Sequence, residues 1–129
     1  MKRLLLLVAA ICFGHRAEAS AQDKEKPKYE MKQYFFVMLK KGPNRDQDCL
    51  AAKKLQAGHM ANIERMADEG KLDIAGPFGH DGDWRGILIL NVPTIEEAKA
   101  QVDRDPAIQA GRMAYEIYPW WSAKGASLK

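Results

Sequence analysis

The residues of this chain best suited to chemistry are His59 and Asp105, joined by a few polar groups near strand ends. An unperturbed imidazole titrates at about 6.5, so a histidine can take up and return protons at neutral pH. Each residue also has a purely structural explanation. His59 shares a helical face with Leu55 and Ile63, where a core histidine would bond a backbone carbonyl. Asp105 precedes Pro106, the arrangement of an N-cap followed by proline at the first helical position. On pattern alone the structural explanations carry the greater weight. Gly76-Pro77 needs nothing more than a turn or a strand edge.

What the sequence lacks narrows the chemistry further. It contains no G-x-G-x-x-G, P-loop, H-E-x-x-H, C-x-x-C or G-x-S-x-G pattern. His80, Asp81 and Asp83 suggest a metal loop, but their spacing matches no EF-hand. The Asp81-Gly82 pair accounts for them as a hairpin turn, so no metal is expected. No serine or cysteine pairs with His59 to make a covalent nucleophile. Cys49 stands ten residues earlier, too far along a helix to face it.

The elements that must hold these side chains follow from the apolar spacing. Residues 48–69 read as a helix, with Leu55, His59, Ile63 and Met66 recurring at four, four and three. Asp46 and Asp48 suit its start, and Gly70 a C-terminal cap. Strands are expected over 33–39 (QYFFVML), 72–78, 86–92 (GILILNV) and 113–120 (MAYEIYPW). Thr94 with Glu97 makes a capping box for a helix running to 102 or 104. The order is β-α-β-β-α-β, the ferredoxin-like split βαβ arrangement with both helices on one sheet face. The strands, however, are apolar at both parities. Tyr34, Phe36 and Met38 alternate with Phe35, Val37 and Leu39, and Ile87 and Ile89 with Leu88 and Leu90. One face is left for something other than the helices to cover. A second copy of the sheet is the simplest cover, giving a homodimeric α/β barrel.

The chain has 129 residues, of which 47% are apolar and 29% charged, an ordinary globular composition with room for one domain. Lys2 and Arg3 precede a ten-residue uncharged run, 4–13, and then Ala17-Glu18-Ala19 and Ala19-Ser20-Ala21. This is the layout of a secretory signal peptide, and the run is about half the ~20 residues of a membrane span. Cleavage before Gln22 leaves 108 residues and lowers the net charge from +3 to +1. Near-neutral charge with scattered lysines argues against nucleic acid or an anionic membrane as partner. Only Cys49 survives cleavage, so no internal disulfide is available. The expected organisation is a signal peptide over 1–21, a polar linker over 22–32, a domain over 33–121 and a flexible tail over 122–129, in a secreted or periplasmic protein.

The order and spacing of several short segments resemble the YCII-related family. They are QYFFVMLKKGPNR, AGHMANIERMADEGKLDIAGPF, RGILIL, the EEA of the second helix, and DPAIQAGR leading to EIYPWW. Together they cover residues 33–121. The resemblance implies a ferredoxin-like fold that dimerises into an α/β barrel, in agreement with the element order. It also implies a site, because in that family a histidine of the first helix and the aspartate of a D-P pair face one cleft. Those positions are His59 and Asp105. A carboxylate on one ring nitrogen fixes the tautomer and raises the basicity of the other. Arg45, Arg85 and Arg112 are the cations available to an anionic substrate group, and Gly76 and Pro77 complete the expected binding residues.

Relatives described as enzymes act on small cyclic or chlorinated aromatic compounds by elimination or isomerisation. The resemblance therefore implies a lyase- or isomerase-type proton transfer on a small-molecule ligand, with no cofactor. The alternative is a non-catalytic dimeric binding or accessory module of the cell envelope. Haem bound through His59 is a third and weaker reading, suggested only by other α/β barrels.

Overall fold

The computed structural model describes residues 28–129. The expected signal peptide, 1–21, and linker residues 22–27 lie outside the described residues. The described chain forms β1 (Met31–Lys41), α1 (Cys49–Asp68), β2 (Leu72–Pro77), β3 (Trp84–Leu90), α2 (Ile95–Val102), α3 (Pro106–Gln109) and β4 (Met113–Ala123). The four strands make one antiparallel sheet in the order β2-β3-β1-β4. That is the ferredoxin-like order, as the sequence predicts. The most apolar strands, β1 and β3, take the two central places. The edge strand β4 accommodates Pro119, whose missing N–H would break a ladder further in.

Register sorts the two faces. Phe35, Val37 and Leu39 of β1 point with Leu88 and Leu90 toward Met66, Ala98 and Val102 of the helices. This layer is the core. Phe36 and Met38 point the other way, opposite Ile89 and Ile87. Several boundaries differ from expectation: β1 runs on to Lys41, β2 stops at Pro77, and β3 spans Trp84–Leu90 where 86–92 is expected. Met31 and Lys32 belong to β1 and pair with Ala123 and Ser122, which belong to β4. Neither pair is strongly apolar; the backbone ladder carries the strands beyond the hydrophobic run.

The helices end where local chemistry ends them. Asp48 Oδ1 accepts from Ala51 N at 2.7 Å and caps α1. At its other end Gly70 takes φ +69°, while Lys71 N bonds Met66 O and Gly70 N bonds Ala67 O, a Schellman closure. In α2 the Thr94 hydroxyl accepts from Glu97 N at 3.1 Å. The Glu97 carboxylate does not complete the expected box; it accepts from Gln101 at 3.0 Å and pairs with Lys71 at 3.2 Å. The buried stripe of α1 is more polar than its spacing implies: His59, Asn62 and Met66 are buried, with Leu55 and Ile63 at its margins. Asn62 donates to Gln101 O at 3.2 Å, and Arg65 bonds both Asn62 and Gln101 at 2.9 Å. This network ties α1 to α2. No helix among the described residues is long and apolar enough to cross a membrane.

Candidate active site

His59 and Asp105 meet. The imidazole Nδ1 lies 2.5 Å from Asp105 Oδ2, and the residues are only 7% and 3% exposed. The other carboxylate oxygen, Oδ1, accepts from Ala107 N at 2.8 Å and caps α3. Capping and pairing are therefore simultaneous, one on each oxygen. The cap fixes the carboxylate, and the carboxylate fixes the ring. With Nδ1 occupied by Asp105, Nε2 is the ring nitrogen left to a ligand.

Gly58 explains how the two elements come so close. A Cβ there would lie 2.7 Å from Pro106 Cγ, inside the closest approach of real carbons. The glycine is a packing requirement of α1 against α3. The group that approaches Gly58 is the Pro106 ring.

His59 lines a cleft of about 460 Å³ between α1, α3 and the β2–β3 side of the sheet, a volume within the usual ~300–1,000 Å³ of small-molecule sites. Its wall is largely apolar, with Leu39, Met60, Ile63, Leu88 and Met113 among the contributors. Arg45, Gly76, Pro77, Arg85 and Arg112 all line the same cleft, so the structure brings these expected binding residues together around the histidine. Gly76 and Pro77 close the edge strand β2. Arg45 and Arg112 meet because the chain after β1 packs on the turn before β4. Gly42 N bonds Arg112 O and Asn44 N bonds Gly111 O, both at 2.9 Å. A Cβ on Gly42 would fall 2.1 Å from Gly111 O, so only glycine permits that contact. Arg45 Nη1 donates to Arg112 O at 3.0 Å, and Arg112 Nη1 donates to Gln47 at 3.0 Å.

The three arginines are not equivalent. Arg85 pairs with Asp81 at 2.9 Å, and Lys41 reaches the same carboxylate at 3.2 Å. Lys41, then Arg85, hold the Asp81 carboxyl below its ordinary range. Arg45 and Arg112 have no carboxylate within 4.0 Å among the described residues. Of the loop residues suggestive of metal, Asp81 is thus engaged by cations, and His80 meets Phe78 edge to face, 5.9 Å between ring centroids. Cys49 is exposed and free. Gln56 and Met60 are cleft residues that sequence reasoning missed. Their signal was available, since Gln56 lies one turn before His59 and Met60 follows it.

A family model of the YCII-related domain matches residues 34–121. The chain belongs to the YCII-related domain family. No curated protein matches it. Among solved structures it is similar to 5-chloro-2-hydroxyhydroquinone dehydrochlorinase from Burkholderia phenoliruptrix AC1100, in complex with 2,5-dihydroxybenzoquinone. That match has 24% identity and a TM-score of 0.50, covering 67% of this chain and 92% of the other. It is also similar to muconolactone isomerase, at 18% identity and a TM-score of 0.57, covering 74% and 95% of the two chains. These likenesses, at such identities, establish the shared α+β fold.

Proposed function

We propose that this YCII-related chain is an exported, cofactor-independent lyase or isomerase that moves protons on a small cyclic or aromatic compound. The observation that carries the reading is the buried His59–Asp105 hydrogen bond beside an apolar cleft. Asp105 accepts a hydrogen bond from Nδ1–H and stabilises the imidazolium that forms when Nε2 takes a proton from an acidic carbon. In an elimination, the C–H and C–X bonds break, a C=C bond forms, the proton rests on Nε2 and the leaving group departs as an anion. In an isomerisation the same proton returns to a different carbon. The apolar wall strengthens the pair by excluding water. Two proteins of this fold are named as a dehydrochlorinase and an isomerase of a lactone, which fits a proton-transfer site of this kind.

Two further features belong to the proposal. The N-terminal charge and apolar pattern supports export, and N-terminal sequencing of the native protein should find a start near Ser20 or Gln22. The apolar sheet face opposite the helices supports a homodimer. The catalytic reading is tested by incubating the mature protein with chlorinated hydroquinones and unsaturated lactones. Halide release and solvent deuterium exchange are followed by ion chromatography and NMR. Turnover should fall by ~10²–10⁴ in His59→Ala. Wild-type protein that binds these rings without exchange or release, and equally well as His59→Ala, overturns catalysis in favour of a binding module.

A further inference from the structure

A second, more open hollow adjoins the catalytic cleft. The two share Arg45, Gln56 and Arg112, and the second adds Gln47, Cys49 and Lys53. Among the described residues, not one Asp or Glu lines either hollow. Three cations therefore converge where the apolar cleft ends, and two of them, Arg45 and Arg112, lack a carboxylate partner among the described residues. Each spends one guanidinium nitrogen on a neutral acceptor, Arg112 O or Gln47 Oε1. Neutral acceptors position a guanidinium without cancelling its charge. A guanidinium presents five N–H donors in a planar fork that matches a carboxylate, so most donors of both remain for a ligand. Arg85, by contrast, faces Asp81 at 2.9 Å and brings little net charge to the cleft.

Resting on the proposed site, we infer that its ligand is an organic anion: a ring held in the apolar cleft beside His59, with a carboxylate arm reaching Arg45 and Arg112. Lys53, on α1 and exposed, adds long-range attraction. The arrangement places the acid group at the open end and the ring at the closed end. An uncharged ring of the same shape loses the charge-assisted hydrogen bonds.

A matched pair of probes separates these terms. Binding of 2,5-dihydroxybenzoate and of 2,5-dihydroxybenzamide to the mature protein is measured by titration calorimetry at low salt. The carboxylate should bind at least tenfold more tightly than the amide. Arg45→Gln and Arg112→Gln should each reduce that preference to about threefold or less while amide binding persists, which shows that the variants fold. Lys99→Gln removes the same charge from the exposed surface of α2 and should leave the preference unchanged. Equal binding of the two probes by wild-type protein, no saturable binding of either, or a preference that survives both arginine substitutions overturns the subsite. Failure of the catalytic reading looks different: the carboxylate preference stays intact while proton exchange is absent.

Discussion

One carboxylate performs two tasks, and the tasks separate by substitution. In Asp105→Asn the side-chain oxygen still caps α3, because asparagine caps about as well as aspartate. The charge that orients and stabilises the imidazolium is gone. Stability should therefore stay within ~1 kcal/mol of wild type, while turnover falls by ~10² or more. Asp105→Ala removes the cap as well and leaves the buried Nδ1 without its partner, at a further ~1–3 kcal/mol. Urea unfolding together with turnover distinguishes the two, and equal stability losses in both variants would mean that the cap is not what holds α3. Gly58→Ala should cost ~1–3 kcal/mol, since its methyl must displace Pro106. The sequence shows His59 and Asp105 as separate residues, each with a local explanation. Pattern does not show that the cap and the pair use different oxygens of one group, because the contact spans 46 residues and is made only by tertiary packing.

At the scale of elements, the strands and helices were legible because apolar period and caps agree. Asp48, Thr94 and Asp105 all cap where expected. The polar seam of Asn62, Arg65 and Gln101 between α1 and α2 was not legible. A buried asparagine on a helix is indistinguishable from an exposed one until its partner is found elsewhere in the chain. The same holds for the tie between β4 and the end of α2, where the Tyr115 hydroxyl donates a hydrogen bond to Asp103 Oδ1 at 2.6 Å. Burial first, and then this bond, push the phenol up from its ordinary 10 to about 12. A raised folded value stabilises the protein fully below the unfolded value and loses that contribution as pH rises through the folded one. Stability should thus decline between pH 10 and about 12. In Tyr115→Phe that part of the decline should disappear. Urea midpoints across this range, compared for the two proteins, measure it; parallel curves would show that Tyr115 is not the group lost.

At the scale of the whole molecule, the helix layer covers one sheet face and leaves the other with Phe36, Met38 and Ile87 half-buried. Beside them on β4, Tyr118 and Trp120 are 52% and 41% exposed. Trp120 leans on Tyr34 at 6.3 Å between ring centroids. The polar groups on this face are already satisfied by one another: Lys40 pairs with Glu116 at 2.7 Å, and Tyr118 donates to the same carboxylate at 2.7 Å. What remains is apolar and contiguous across two central strands and an edge. Patches of that kind are uncommon on monomers and mark surfaces that a partner covers. Because the His59 cleft is walled by α1 and α3, the two faces can be tested independently. Light scattering at micromolar concentration should give twice the chain mass for the mature protein. Phe36→Asp places a charge at the middle of the uncovered face and should give a single chain mass. Its circular dichroism should be unchanged, since Phe36 points away from the core layer of Val37 and Leu39. A wild-type protein that remains a monomer at that concentration shows that this sheet face is not joined to a second copy.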